Sequence, residues 1–146
     1  MELKATRASA IGNLEDFVEN NLGEYSKLRN FDFGPNKRSN TSCLSPYITH
    51  GVINEKEVIK KSLDKFSFSK NEKFIQEVLW RTYWKGWMEL RSGVWDDYLI
   101  DLKNIKEEFK DNKDYLNAID GNTKIECFNE WVNELKTYNY LHNHTR

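Results

Sequence analysis

The sequence of 146 residues is poor in cysteine, proline, glycine and long apolar runs. Its two cysteines, Cys43 and Cys127, are too few for a disulfide framework or a four-ligand zinc site. Two prolines and seven glycines exclude a collagen-like or low-complexity chain. No segment approaches the roughly 18 apolar residues of a membrane-spanning helix, and the first residues lack the apolar stretch of a secretory signal. We therefore expect one soluble domain, located in the cytoplasm.

The charges nearly balance, since 22 lysines and arginines stand against 23 aspartates and glutamates. Such a balance gives no global field that would draw the protein onto nucleic acid, so a nucleic-acid role requires a local basic patch. Five Trp, seven Tyr and eight Phe are a heavy aromatic content for a domain of this size. Aromatic side chains fill cores, but Trp and Tyr also line ligand and base-stacking surfaces.

Apolar residues recur at helical spacing, and no segment alternates for long in the manner of a β-strand. The elements predicted first are a helix from Thr6 to about Gly23, a surface loop at 30–42, a short helix from Ser45 to His50 and a helix from a capping box at Asn54 and Glu57 to about Lys65. Those predicted next are a long helix from Ser69 or Asn71 to about Arg91, short charged helical pieces in 95–120, and a helix capped by Asn122 or Thr123 that carries Ile125, Phe128, Trp131, Val132 and Leu135 on one face. The predicted fold class is all-α.

The long helix carries polar and aromatic side chains that point to a site. At about 100° per residue, Phe74 and Arg81 share a face, and Glu77, Trp80 and Trp84 share a neighbouring sector. A further apolar sector is formed by Ile75, Val78, Leu79 and Tyr83. A helix that is apolar on so many sides is expected to be central in the fold, with its polar side chains turned toward a ligand.

These residues also have purely structural interpretations. Glu77 and Arg81 are four residues apart, a spacing at which an ion pair stabilises a helix by about 0.2–0.5 kcal/mol. The indoles of Trp80, Trp84 and Trp87 are equally typical of a core. The residues alone therefore predict a helical protein with an aromatic-lined pocket and leave its task open.

The hydroxyl side chains of Thr41, Ser42 and Ser45 precede a predicted helix, where such residues normally form caps and turns. Hydroxyls and free amides at a helix start can also hold a phosphate. His142 and His144 do not predict a metal site, because no cysteine or carboxylate cluster accompanies them.

Four segments, at 25–29, 41–51, 74–84 and 140–146, resemble the flavin-binding helical domain of DNA photolyases and cryptochromes. The second reads Thr-Ser-Cys-Leu-Ser-Pro-Tyr, close to the family's Thr-Ser-x-Leu-Ser-Pro-Tyr. The third contains the Glu-x-x-Trp-Arg of a family helix, and the fourth resembles the His-Asn-x-x-Arg at the start of its next core helix. The order and spacing of the four segments over about 120 residues carry the resemblance.

The resemblance implies FAD bound non-covalently in a helical cup. The residues at its cofactor positions are Tyr25, Thr41, Ser42, Cys43, Leu44, Ser45, Phe74, Arg81, Asn143 and Arg146. The segment 41–45 would wrap the pyrophosphate through hydroxyls and amides, as the helix start at this point already allows.

The resemblance also implies pyrimidine-dimer DNA as partner, with the lesion flipped toward the flavin. Glu77, Trp80 and Asn143 match catalytic positions at the lesion. The DNA-contact positions are Arg29, Glu77, Trp80, Trp84 and His144. In such an enzyme, a deoxyribodipyrimidine photolyase and hence a carbon–carbon lyase, light-excited reduced flavin lends the electron that splits the dimer.

The sequence also departs from the family pattern. Cys43 stands where many members have a basic residue, Phe74 replaces a common Trp, and His144 replaces a frequent Arg. The Asp-rich flavin-binding segment, the later Trp relay and the amino-terminal α/β antenna domain have no counterpart. We therefore expect 1–146 to be a partial flavin domain, truncated at its carboxyl end and inactive by itself, whose exposed apolar faces favour homo-oligomers.

Three functions stay open at this point. The first is part of a photolyase-like domain whose parent repairs pyrimidine dimers. The second is a cryptochrome-like blue-light photoreceptor that binds FAD and signals through partners, which the near-neutral charge and His144 favour. The third is a helical interaction module that has lost FAD. The lesion type and any antenna chromophore also stay open.

Overall fold

A computed structural model describes residues 4–145 of the chain. Within that range it contains eight α-helices and one 3₁₀ turn, and no strand. The predicted all-α fold class is confirmed. The chain divides into two compact units, one that ends at Tyr83 and one that begins at Trp84. None of the helices between residues 4 and 145 is both long enough and apolar enough to cross a membrane.

The first unit is built on helices whose starts are fixed by local capping. It comprises α1 (Arg7–Asn20), a 3₁₀ turn (Leu22–Glu24), α2 (Tyr25–Leu28), α3 (Ser45–Thr49), α4 (Glu55–Lys65) and most of α5 (Phe68–Leu90). Thr6 caps α1 by accepting a hydrogen bond from the amide of Ser9. Asn54 and Glu57 form the predicted capping box of α4. Both predicted starts are confirmed, because a side-chain acceptor at the cap satisfies an amide that the helix itself leaves unpaired.

The core of the first unit lies between α1, α3, α4 and the beginning of α5. Its buried members are Ala10, Leu14, Phe17, Val18, Leu22, Leu44, Tyr47, Ile53, Val58, Phe74 and Val78. The buried Tyr47 fixes α3 to α1, since its hydroxyl lies 3.1 Å from Ser9 Oγ and 3.2 Å from Asn13 Nδ2. The short helix α3 is therefore held at a defined place although five residues alone would not form a stable helix.

The long helix α5 begins at Phe68, before either predicted cap. The prediction that Asn71 opens this helix is wrong, because Asn71 is buried inside it. The side-chain amide of Asn71 donates to the carbonyls of Ser62 (2.7 Å) and Phe66 (3.2 Å) at the end of α4. Asn71 therefore satisfies the carbonyl end of the preceding helix. The buried residues of α5 all lie in its first half, so the expectation of a central helix holds only there.

The second unit contains α6 (Gly93–Glu108), α7 (Lys113–Asp120) and α8 (Glu126–Tyr138). Where the sequence predicted short pieces, α6 is one helix of 16 residues. The predicted caps of α8 are wrong, since Ile125 precedes its first residue and makes no side-chain cap. Thr123 instead binds the side chain of Asn129, which donates to the Thr123 carbonyl at 2.8 Å. The amide of Thr123 donates to the Asn129 side chain at 2.8 Å in return.

Few side chains of the second unit are buried. Among its described residues only Leu141 and His142 are buried, whereas α6, α7 and α8 expose many large apolar side chains. The stripe predicted for α8 is among them, with Ile125, Phe128 and Leu135 exposed. Exposed apolar side chains on every helix of a unit indicate that it has little core of its own.

Candidate functional site

Of the four segments that resemble the flavin domain, 74–84 contacts both 25–29 and 41–51 through residues of the first unit. The contact between 25–29 and 74–84 begins with an aromatic cluster. The ring of Tyr25 packs edge-on against Phe74 at 5.3 Å between centroids, and Phe17 lies 5.2 Å from Phe74. With 3% of its surface exposed, Phe74 is a core residue in this structure. Tyr25 is half-buried and keeps part of its ring toward solvent.

The same two segments are also joined by an ion pair. Arg29 Nη1 donates to Glu77 Oε1, and both side chains are mostly buried. The predicted pair within one helix, between Glu77 and Arg81, is therefore wrong, because Glu77 binds a cation 48 residues away. A mostly buried pair of this kind is costly to break from one side, since the other charge is left uncompensated. Arg29 and Glu77, both expected to contact DNA, thus contact each other.

Arg81 joins the long helix to the segment 41–51. Its Nη2 donates to Thr49 Oγ1 at 2.8 Å, and its Nε lies 3.7 Å from Glu55 Oε1. Thr49 Oγ1 in turn donates to the carbonyl of Ser45 at 2.7 Å. A guanidinium has five N–H donors in a planar fork, so one bond to Thr49 leaves capacity for a second acceptor. Arg81 is therefore a half-exposed cation held beside α3, and not a side chain that extends into bulk water.

The turn at 41–45 uses part of its polar capacity within itself. Thr41 Oγ1 lies 3.4 Å from the carbonyl of Arg38 and 3.5 Å from Cys43 Sγ. Cys43 has a φ of 50°, a left-handed conformation that is uncommon outside glycine. The Leu44 side chain is buried in the core and cannot cap the first amides of α3. Pro46 has no N–H, so the amides of Ser45 and Tyr47, together with the side chains of Ser42 and Ser45, are what this turn can offer to an anion.

The two predicted tryptophans are both exposed. Trp80 lies in the first unit with more than half of its surface open to solvent. Trp84 is the first residue of the second unit, where its ring meets Trp87 at 5.7 Å in an edge-on arrangement. The purely structural interpretation of Trp80 and Trp84 as core residues is therefore wrong.

The fourth segment lies in the second unit. Asn143 and His144 are exposed there, and the amide of His144 donates to Nδ1 of the buried His142 at 3.2 Å. Arg146, the last predicted cofactor contact, lies outside the described residues. Within residues 4–145, no three His, Cys, Asp or Glu side chains form a group that could hold a metal ion.

Sequence reasoning missed an apolar groove along α4. The groove has a volume of about 740 Å³ and is lined by Asn54, Glu55, Lys56, Ile59, Lys60, Leu63, Asp64 and Leu79. It lies in the size range of ligand and peptide pockets. Ile59 and Leu63 are four residues apart on α4, so an apolar pair on its outer face was the signal that could have revealed the groove.

The ion pair between Arg7 and Glu57, at the start of α4, shifts the pKa values of both residues. A side-chain hydrogen bond from Arg7 lowers the pKa of Glu57 below its usual value, and the amide of Asn54 acts in the same direction. The same hydrogen bond raises the pKa of Arg7. This pair joins α1 to α4, and neither of its residues belongs to the three segments.

Compared with known proteins, the sequence matches no family model, no curated protein and no solved structure. The assignment of a function therefore rests on the residues and on the contacts between them.

Proposed function

We propose that the chain belongs to a flavin-binding helical domain of photolyase and cryptochrome type, whose parent protein repairs pyrimidine dimers in DNA. The observation that carries the proposal is the meeting of the segments 25–29, 41–51 and 74–84 in one unit. These segments are separated by up to 59 positions, yet Tyr25 packs on Phe74, Arg29 pairs with Glu77 and Arg81 binds Thr49. The residues that resemble one binding site are thus neighbours in space.

The residues present fit the phosphate part of a dinucleotide. The start of α3 offers amides that no side chain of Leu44 caps, and an anion is the natural acceptor for such amides. Arg81 of α5 binds Thr49, one turn after the start of α3, and has donors left for a phosphate oxygen. The half-buried ring of Tyr25 supplies an aromatic contact for the cofactor. Phe74 contributes as the support of Tyr25 rather than as an open face.

Bound FAD would supply the light-driven electron transfer, which is chemistry of the cofactor itself. The chain would supply the positions of the flavin and of the DNA. The indole of Trp80 is more than half exposed, and a flipped base would stack on it. Glu77 would accept a hydrogen bond from a base edge only after Arg29 has moved to another acceptor, and a DNA phosphate is such an acceptor.

Titration of FAD into the purified chain tests the cofactor part of the proposal. We expect saturable quenching of flavin fluorescence, and we expect Arg81→Ala to weaken binding by about 10- to 150-fold. A hydrogen bond to a charged group is worth about 1.5–3 kcal/mol, which gives that range. Arg7→Ala is the matched control, because Arg7 is a surface cation of the same unit engaged with Glu57. Equal FAD affinity in Arg81→Ala and the unchanged chain would contradict the proposal.

Lesion recognition is tested separately, with a short duplex that carries one thymine dimer. Trp80→Ala should remove most of the preference for this duplex over an undamaged one, since base stacking on an aromatic ring is worth about 1–3 kcal/mol. Trp95→Ala is the control, because Trp95 is equally exposed on α6. If the chain binds FAD but shows no lesion preference at all, a blue-light signalling role replaces repair.

The groove along α4 favours one other function, a helical interaction module without FAD. Ile59, Leu63 and Leu79 give it an apolar floor, and Lys56 and Lys60 stand at its edge. An amphipathic helix of a partner protein is the kind of ligand that such a groove fits. Under this alternative Arg81→Ala has no effect on ligand binding, whereas Leu63→Asp abolishes it.

A further inference from the structure

The loop between α2 and α3 exposes two phenylalanines that are stacked on each other. Phe31 and Phe33 are 56% and 47% exposed. Their ring centroids lie 6.0 Å apart with planes within 11° of parallel. Single exposed apolar residues are common on protein surfaces, but two parallel rings on one short segment form an exposed aromatic surface.

Hydrogen bonds within the loop hold this surface in place. The buried side chain of Asn40 donates to the carbonyls of Leu28 (2.9 Å) and Phe31 (2.7 Å) and so closes the base of the loop. Near its tip, Asp32 Oδ1 accepts a hydrogen bond from the amide of Gly34 at 2.9 Å. Gly34 has a φ of 78°, which a residue without a Cβ adopts without strain. The rings are therefore presented before any ligand binds, which reduces the entropy cost of binding.

Basic residues flank the rings in the sequence, although the whole chain is slightly acidic. The segment 25–43 contains four cations, Lys27, Arg29, Lys37 and Arg38, against the one carboxylate of Asp32. Lys27 pairs with Glu24 at 2.9 Å and Arg29 with Glu77. Lys37 and Arg38 follow the rings on the returning arm of the loop. Aromatic rings flanked by cations are typical of surfaces that bind single-stranded nucleic acid.

We infer that Phe31 and Phe33 form a stacking platform for unpaired DNA bases, with Lys37 and Arg38 placed for the adjoining phosphates. The inference rests on the proposed function for its choice of DNA and adds a second contact surface to it. A lipid surface fits less well, because Asp32 lies between the two rings in sequence and an ionised carboxylate is costly to bury in hydrocarbon. Unpaired bases can stack on the rings while Asp32 stays in water.

The direct test compares two fluorescent 12-nucleotide strands by anisotropy, one of oligothymidylate and one abasic strand with the same phosphates. We expect the chain to bind the strand with bases at least tenfold more tightly. Phe31→Ala with Phe33→Ala should abolish that difference, since stacking of one base on one ring strengthens binding by about 5- to 150-fold. Phe68→Ala is the matched control, because Phe68 is 59% exposed on another surface and should leave the ratio unchanged.

Two further variants separate stacking from general apolarity and from charge. Phe31→Leu with Phe33→Leu keeps the loop apolar but removes the rings, and it should lose the preference for bases as the alanine variants do. Lys37→Gln should flatten the dependence of log K on log salt by about 0.7, the value for one phosphate contact on a single strand. The leucine variants should leave that slope unchanged.

Three outcomes would overturn the inference. Equal affinity for the two strands would show that the bases are not contacted. Binding of the leucine variants to vesicles of phosphatidylcholine and phosphatidylglycerol, equal to that of the unchanged chain and without any preference for bases, would assign the loop to a membrane surface. Loss of self-association in the alanine variants, again without a preference for bases, would assign it to a second copy. No flavin or lesion enters these assays, so their failure is distinct from failure of the FAD titration.

Discussion

Gly121 ends α7 in the left-handed conformation, with a φ of 76°, and it also lies against α8. A Cβ at this position would stand 2.6 Å from Cγ1 and 2.8 Å from Cβ of Val132. An alanine there combines a backbone strain of about 1–2 kcal/mol with a steric overlap that only a shift of α8 can relieve. Gly121 is thus the point at which the contact between α7 and α8 is most sensitive to added volume.

Gly121→Ala should therefore lower the free energy of unfolding of the second unit by more than the strain alone. Gly51→Ala is the control, since Gly51 has a φ of 66° and open space around its Cα. Urea unfolding followed by circular dichroism measures both. Val132→Ala introduced into Gly121→Ala should restore part of the loss. If Gly121→Ala and Gly51→Ala lower the free energy of unfolding equally, the close approach of Val132 to Gly121 does not affect stability.

The contacts of single residues show where sequence reasoning ends. Thr6 and Asn54 were predicted as caps because a cap acts on an amide only a few positions away. Glu77 was matched to the wrong cation, since helical spacing shows Arg81 but not Arg29, which comes to it from another helix. The exposed rings of Phe31 and Phe33 carried no signal either, because a loop has no periodicity from which to deduce the direction of a side chain.

At the scale of elements, the start of α4 joins a cap and an ion pair in one residue. The Glu57 carboxylate accepts the amide of Asn54 at 3.0 Å and the guanidinium of Arg7. Both hydrogen bonds favour the charged form, which is why the pKa of Glu57 in the folded chain is lowered. The carboxylate form therefore contributes stability above the ordinary glutamate pKa of about 4.3, and this contribution is lost as the pH falls through the lower pKa of the folded state.

Glu57→Gln should accordingly be less stable than the unchanged chain at pH 7, and the difference should shrink as the pH falls through the lowered pKa of the folded state. Thermal unfolding across this pH range measures the difference. Glu130→Gln on α8 is the control for the loss of an exposed carboxylate outside this ion pair. A gap between Glu57→Gln and the unchanged chain that does not shrink with falling pH would contradict the assignment of the lowered pKa to this pair.

The helices themselves were predicted better than their boundaries. The position of α4 followed from its capping box, and α3 lies where the Ser-Pro pair and Gly51 bracket it. The start of α8 was misplaced because Thr123 serves Asn129 in the turn and does not cap the helix. Caps compete with other partners in the folded chain, and only the fold shows which partner is bound.

At the scale of the whole molecule, the two units differ in how much of their apolar surface they bury. The first encloses a continuous cluster of buried side chains from α1, α3, α4 and α5. The second buries only Leu141 and His142 among its described residues. The contacts between the three segments all lie in the well-packed first unit. Their meeting was predicted only through a resemblance, since residues so distant in sequence share no local pattern.

Local opening requires little free energy where few apolar contacts are lost. Amides of α6, α7 and α8 should therefore exchange with deuterium faster than those of α1 and α4. Phe17→Ala, in the core of the first unit, should lower the free energy of unfolding by about 3–5 kcal/mol. It should accelerate deuterium exchange only in that unit. Phe128→Ala on the exposed face of α8 should lower the free energy of unfolding far less.

If α8 is protected as strongly as α1, and dilution of the sample removes that protection, then a second copy covers the α8 face and the oligomer predicted from its apolar stripe exists. Protection that persists on dilution would mean that the second unit is stabilised by contacts within one chain, and no oligomer would be needed to explain it.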